Sequence, residues 1–324
     1  MNKAKSILST LGPLLALTLL FIGFRLANGE SFWSELNLRM LLTQTAIVAI
    51  GACGATLVIV AGGIDLSIGS VLALAGVVGA LLLHAGYDPL LAATACVAIG
   101  ALCGLLNGGV VAFGKLPAFV VTLGMLSIAR GAAKVLADDQ SVNYANAGWI
   151  EHLMQPLPLA SDPGWVHALV VAPGVWLAAI LTLVTWLVMS RTVFGRQVYA
   201  IGSNEAAARL CGVPVRRTKI LVYVLGGATV GLAGLLEMAK LHQGDPTTAG
   251  GRELDIIAAV VIGGASLTGG YGTVIGSLIG ALTMGVLHSG SQQLGWGNSR
   301  QEIIIGVVIV IAAMVDRLRH PARS

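Results

Sequence analysis

Apolar residues occur in long runs along this chain, and polar and basic residues collect in the short stretches between them. Each run approaches the roughly 20 residues that an α-helix needs to cross a bilayer core. The segment GGASLTGGYG interrupts the pattern near its C-terminal end. The pattern predicts ten spans, at residues 11–26, 39–61, 66–86, 90–113, 117–137, 165–189, 218–241, 254–268, 273–290 and 302–316.

The composition supports a membrane protein. Of the 324 residues, 56% are hydrophobic and only 10% are charged, whereas a soluble domain carries roughly 25% charged residues. We therefore predict an all-α membrane protein, in which about ten transmembrane helices form one compact domain over residues 1–324. Small-residue stripes at four-residue spacing predict close contacts between helices. These stripes are Gly100, Gly104 and Gly108; Gly227 and Gly231; and Gly272, Gly276 and Gly280.

The distribution of basic residues predicts the orientation. With ten spans, 12 of the 19 lysines and arginines lie on the side that holds both termini and the loop 190–219. Basic residues favour the cytoplasmic side, so we expect both termini and this loop in the cytoplasm, and the loop 138–165 outside. The net charge of +4 is no sign of nucleic-acid binding, and the bilayer is the first partner that the sequence indicates.

No motif indicates an enzyme. The stretch GVVAFGKL, residues 109–116, resembles a phosphate-binding loop, but Leu116 replaces the hydroxyl residue that binds magnesium. The cysteines form no CxxC pair and the histidines are scattered. We therefore expect no catalytic residue, no metal site and no cofactor bound by this chain. If transport is ATP-driven, a separate subunit hydrolyses the ATP.

The stretch GSNEAAARLCGVP predicts a short helix inside the loop 190–219. Ser203 is a suitable N-cap, Glu205 suits the first turn, and Gly212 followed by Pro214 ends the helix. Two interpretations remain open: a surface helix on lipid headgroups, or a rigid peg whose small alanines dock into a groove of a partner protein.

The stretch GGIDLSIGS places a carboxylate, Asp65, between two apolar runs. Three interpretations compete: Asp65 caps the next helix near Ile68, lines or gates a pathway, or lies at the cytoplasmic interface. Asn107 is expected to bond between helices or to contact substrate. The candidates for a pathway or a helix break are Gly62, Gly63, Asp65, Ser67, Asn107 and Thr122.

Charged residues also mark the predicted outer side. Glu253 and Asp255 open the eighth span, where they suit a helix N-terminus or contact a binding protein. Arg130 is expected to pair with an outer acid such as Asp138 or Asp139.

Four segments together resemble one family. These segments are GGIDLSIGSVLALAG, NGGVVAFGKLPAFVVTLGML, GSNEAAARLCG and ELDIIAAVVIGGASLTGGYGT. They are similar, in the same order, to hallmarks of the permease subunits of ribose-type, binding-protein-dependent ABC importers, and Glu205-Ala206-Ala207 with Gly212 resembles the EAA loop of such permeases. The resemblance covers about residues 40–316.

The resemblance implies a permease of the bacterial inner membrane that forms the pathway for a monosaccharide or related polyol. Its partners would be a second permease copy or paralogue, a cytoplasmic ATP-binding subunit and a periplasmic sugar-binding protein. Glu205, Ala206, Ala207 and Gly212 would belong to the coupling helix, and the basic flank would face the ATPase. This flank consists of Arg209, Arg216 and Arg217. A stand-alone secondary sugar transporter and a membrane scaffold are the alternatives.

Overall fold

The computed structural model describes residues 3–155 and 171–319. These residues are mostly helical, with a two-stranded antiparallel ribbon in which β1, Val142–Asn143, pairs with β2, Gln243–Gly244. Short 3-10 helices lie at Gly29–Trp33 and Gly148–His152. The α-helices are α1 Lys3–Asn28, α2 Glu35–Val60, α3 Ile68–His84, α4 Pro89–Gly114, α5 Ala118–Leu136, α6 Pro173–Arg191, α7 Val193–Ser203, α8 Glu205–Leu210, α9 Val215–Leu241, α10 Arg252–Ile262, α11 Val274–Gln293 and α12 Asn298–Arg319.

Among the described residues, seven helical segments are long and apolar enough to cross a membrane. They are α2, α4, α5, α6, α9, α11 and the segment Gly12–Trp33. The chain is therefore a multi-pass membrane protein, and a helix lies at each of the ten predicted places. Part of the predicted span 165–189 and of the loop 138–165 lies outside the described residues. The number of crossings and the orientation of the termini stay predictions.

The bundle has two ends that contacts define. At the ribbon end, His84 Nδ1 at the end of α3 lies 2.7 Å from the carbonyl oxygen of Asn143 in β1. At the α8 end, the Gly270 amide donates to the Val60 carbonyl at the end of α2, at 2.9 Å. Gly202, just before α8, contacts both residues. α3 and α9 therefore both run toward the ribbon end.

The predicted glycine stripes pack where helices meet backbone to backbone. Gly100 and Gly104 of α4 lie against Gly227 and Tyr223 of α9, and an added methyl group at either α4 glycine would overlap an α9 carbonyl oxygen. α10 and α11 meet in the same way, Gly263 against Gly276. The predicted close helix contacts are confirmed except at Gly272, which lies before α11 rather than on its face. They give the bundle a tightly packed centre around α2, which is buried over most of its length.

Two helices of the bundle, α3 and α10, are shorter than these seven segments. α3 has 17 residues and follows the non-helical segment 61–67, and α10 has 11 residues and follows the non-helical segment 245–251. From the ribbon, Gly244 packs on Gly76 and Ala80, and Ala249 reaches Gly69 in the first turn of α3. The chain therefore descends beside α3 before α10 begins. We call residues 245–251 the re-entrant segment.

Candidate coupling and pathway sites

The six helix-break candidates come together at the start of α3. Asp65 Oδ1 accepts hydrogen bonds from the Ser67 amide at 2.8 Å and from the Ser67 hydroxyl at 2.5 Å. Asn107 Nδ2 of α4 donates to Ser67 Oγ at 3.2 Å. Thr122 Oγ1 of α5 accepts from the Leu66 amide at 3.2 Å and lies 3.1 Å from the Ile64 carbonyl oxygen. We call this arrangement the helix-break cluster; Gly62 and Gly63 lead into it.

The capping prediction for Asp65 needs correction. The residue before α3 is Ser67, which makes no side-chain cap bond, and Asp65 bonds to Ser67 rather than to Ile68. Asp65 thus stabilises an Asx-turn, in which an aspartate side chain accepts a hydrogen bond from the backbone amide two residues later. Asn107 makes a bond outside its own helix, but its partner Ser67 lies in the non-helical segment before α3 rather than in a helix. Because Asn107 lies seven residues before the end of α4, the cluster is about 10 Å inside that helix end.

The predicted short helix exists as α8. Its N-cap is Asn204, whose Oδ1 accepts from the Ala207 amide at 2.9 Å, while the expected cap, Ser203, is the last residue of α7. Gly212 has φ +81°, and the Gly212 and Val213 amides donate to the Arg209 and Ala208 carbonyls. This is a Schellman ending, which glycine permits. The helix ends where the sequence predicted, and its N-cap lies one residue later than predicted.

One carboxylate ties α8 to the bundle. Glu205 accepts from Arg209 Nη2 at 2.9 Å and from Lys219 Nζ of α9 at 2.6 Å. The hydrogen bond from Lys219 and the positive charges of Lys219 and Arg209 lower the pKa of Glu205 below its ordinary 4.5. The Glu205 side chain thus stays charged at neutral pH and holds the helix against the base of α9.

The free face of α8 is small and apolar. Ala206 and Ala207 are exposed, and Leu210 is 90% exposed. Ala208 is buried against its own chain, so only two of the three alanines are available to a partner. Of the basic flank, Arg217 is exposed and the Arg216 guanidinium lies 5.6 Å from the Phe113 ring centre.

A cavity of about 530 Å³ lies between α8 and the helix break. Tyr223, one of its lining residues, is 3% exposed, and its hydroxyl makes no hydrogen bond to any residue that the structure describes. The sequence analysis did not identify Lys219, Leu210 or Tyr223 as site residues. Their roles depend on how α8 packs against α9, and the local sequence pattern does not show this packing. The cavity is lined by residues that include Gly62, Gly63, Lys115, Glu205, Arg209, Arg216, Lys219 and Tyr223.

The two acids of α10 occupy different places. Asp255 is only 6% exposed, and its Oδ2 lies 3.2 Å from His288 Nε2 of α11. This burial counts against Asp255 as a contact for a binding protein. Glu253 is half-buried and its carboxylate touches Gly69 of α3.

Arg130 does not make the predicted bond to an outer acid. Its Nη1 donates to the carbonyl oxygens of Pro246 and Thr248, at 2.8 and 2.7 Å. Arg130 of α5 therefore holds the re-entrant segment, as Thr122 holds the other non-helical segment. α5 thus binds both breaks.

Comparison with known proteins then gives the family. Residues 37–313 match the family described as "Branched-chain amino acid transport system / permease component". The chain belongs to this family. It is 42% identical to the ribose import permease protein RbsC of Escherichia coli over 293 residues, which cover 90% of this chain and 88% of that protein.

Two further relatives carry other sugars in their names. The fructose import permease protein FrcC of Rhizobium meliloti is 36% identical over 94% of this chain and 84% of its own. The L-arabinose ABC transporter permease protein AraH of Azospirillum brasilense is 32% identical over 90% of this chain and 83% of its own. No solved structure matches. The predicted resemblance to ribose-type permeases is confirmed. Relatives of this kind do not support the alternative of a stand-alone secondary transporter.

Proposed function

We propose that this chain is the membrane subunit of an ATP-driven importer in the bacterial inner membrane, and that it forms, with a second copy or a paralogue, the pathway for a monosaccharide or related polyol. A separate cytoplasmic ATPase supplies the energy, and a periplasmic binding protein delivers the sugar. The relatives named for ribose, fructose and L-arabinose import support the sugar class. The observation that carries the proposal is α8, a short exposed helix fixed to the bundle by an ion pair.

The contacts connect α8 to the helix break. α8 is held by Lys219 at the base of α9, α9 packs backbone to backbone on α4, and Asn107 of α4 bonds to Ser67 in the helix-break cluster. A partner that moves α8 therefore pulls on α9 and α4 as one unit. The non-helical segment 61–67 is the place where such a displacement can be taken up.

The test is transport by the reconstituted complex. The chain is placed in proteoliposomes with a candidate ATPase and a candidate sugar-binding protein from the same organism, and ATP-dependent uptake of labelled ribose, fructose and L-arabinose is measured. We expect uptake of at least one sugar only when all the components and ATP are present. Uptake without the ATPase would contradict the proposal, as would the absence of sugar uptake from a complex that assembles.

Charge reversal tests the role of α8 within that complex. Glu205→Lys and Lys219→Glu should each reduce uptake at least tenfold, because the first places a lysine beside Arg209 and Lys219 and the second places another carboxylate beside Glu205. The double variant restores the pair between positions 205 and 219 but leaves a lysine beside Arg209, so it should recover part of the uptake. Arg191→Glu, at an exposed site at the end of α6 outside both the pair and the basic flank, is the matched control. Equal losses in the double and single variants would show that Glu205 and Lys219 do not act as a pair.

A further inference from the structure

The re-entrant segment lies deep inside the bundle yet is partly exposed. Ala249 contacts Gly69, which is 15 residues from the ribbon end of α3, so the tip lies about 22 Å from that end along the helix. Thr247, Gly250 and Gly251 are nevertheless exposed on the surface of the chain. This depth is far inside a hydrocarbon core about 30 Å thick.

Irregular backbone does not face lipid at such a depth. A non-helical segment has peptide groups without intrahelical partners, and each one costs several kcal/mol in hydrocarbon. Such segments are tolerated where they are buried in protein or line water. The exposed side of the re-entrant segment therefore faces water or another protein surface, whereas exposed leucines such as Leu102 of α4 suit lipid.

The charges beside this segment favour water over a dry contact. Arg130 is half-buried and uses Nη1 to hold two carbonyl oxygens of the segment. Glu253, in the first turn of α10, is also half-buried, and within residues 3–155 and 171–319 its carboxylate accepts no hydrogen bond. The positive charge of Arg130 acts on the Glu253 carboxylate, and carboxylate oxygens that accept no hydrogen bond from the chain are open to water or hydroxyl donors.

We propose that the exposed side of residues 247–253 is the wall of a water-filled sugar path, and that the Glu253 carboxylate is the group on this wall that accepts hydrogen bonds from sugar hydroxyls. Arg130 is a positioning residue that holds the wall in place. This inference rests on the proposed function, because the path needs a second permease subunit opposite the wall. It gives Glu253 a role inside the membrane instead of a contact with the binding protein.

Water access is tested by cysteine labelling of the full complex. Cys211 is the exposed cysteine among the four, and the other three are buried, so Cys211→Ser provides the background. Thr247→Cys and Gly250→Cys are compared with Leu102→Cys, an exposed position in the middle of α4. A small cationic methanethiosulfonate reagent should modify the first two at least tenfold faster, and turnover with sugar should change their rates about twofold or more. Rates equal to that of Leu102→Cys would overturn the water-filled wall.

The role of Glu253 is tested by selectivity. Glu253→Gln keeps the shape and one acceptor oxygen, and Glu253→Leu removes both acceptors. For sugars carried by the same binding protein, both variants should change the ratio of uptake rates between the parent sugar and analogues that lack one hydroxyl, the leucine variant by tenfold or more. Unchanged ratios in a folded Glu253→Gln variant would overturn the assignment. Uptake by the Cys211→Ser background reports the proposed function separately, so failure of one does not imply failure of the other.

Discussion

At the scale of single residues, Asp65 stabilises the turn before α3. Its side chain accepts both hydrogen bonds that Ser67 offers. Asp65→Asn keeps an acceptor oxygen for the Ser67 amide, so the variant should fold and retain most of its uptake. Asp65→Leu removes both bonds and should lower the free energy of unfolding by about 1–3 kcal/mol, measured as thermal unfolding in detergent.

The comparison of the two Asp65 variants also separates turn formation from charge. If Asp65→Asn folds as well as the parent but transports no better than Asp65→Leu, the negative charge itself is required. The turn alone would then be an insufficient account of this residue.

Glu205 gives a prediction of pH dependence. Because its pKa in the folded chain is lowered, the ion pair with Lys219 stabilises the fold above pH 4.5 and is lost as the pH falls through the lowered pKa. The partly exposed pair contributes about 1 kcal/mol or less. The melting temperature of the parent should exceed that of Glu205→Gln at pH 7, and the difference should vanish at low pH.

The control for this titration is Glu30→Gln, since Glu30 is an exposed acid that forms no salt bridge with any described residue. Its effect on the melting temperature should be small at every pH. A difference between the parent and Glu205→Gln that grows as the pH falls would contradict the assigned direction of the pKa shift.

At the scale of elements, the contact between α4 and α9 depends on missing side chains. Gly104→Ala would place a methyl group on the Tyr223 carbonyl oxygen, and overpacking of this kind costs about 1–3 kcal/mol. Gly109→Ala, in the same helix with no atom within 4 Å of the added methyl, is the matched control. Thermal unfolding of both variants should show a lower melting temperature for Gly104→Ala only.

The helices were largely predictable from the sequence, and their interruptions were not. Apolar runs set the positions of the long helices, and Ser203, Glu205 and Gly212 predict α8 within one residue, because caps and turns are local. From the sequence, residues 245–251 look like a loop that leads into the predicted span 254–268. Hydropathy does not show how deep in the membrane such a loop lies. The bonds from Arg130 to Pro246 and Thr248 join residues more than 100 positions apart, and no local pattern encodes them.

The same limit applies to the candidate site. The helix-break residues could be grouped from the sequence because Gly62 to Ser67 are adjacent, and the polar residues Asn107 and Thr122 stand out in apolar spans. The partner of Glu205 could not be found, because Lys219 is one of several basic residues in the loop and only the packing of α8 on α9 selects it.

At the scale of the whole molecule, the predicted orientation puts the α8 end in the cytoplasm. Cys211, exposed beside α8, should react with an impermeant maleimide only after cells are permeabilised. Ser141→Cys in the Cys211→Ser background, an exposed position next to β1, should react in intact cells. Labelling of Cys211 in intact cells would contradict the orientation.

The two short helices have a consequence for how such a bundle opens. α3 and α10 begin beside one another, and α3 runs to the ribbon end while α10 runs to the α8 end. If α3 and α10 rotate together about the point where both begin, their far ends move in opposite directions. We therefore expect a single small rotation to widen the sugar path at one end of the bundle while it narrows the path at the other end. The path is then not open at the ribbon end and at the α8 end at the same time.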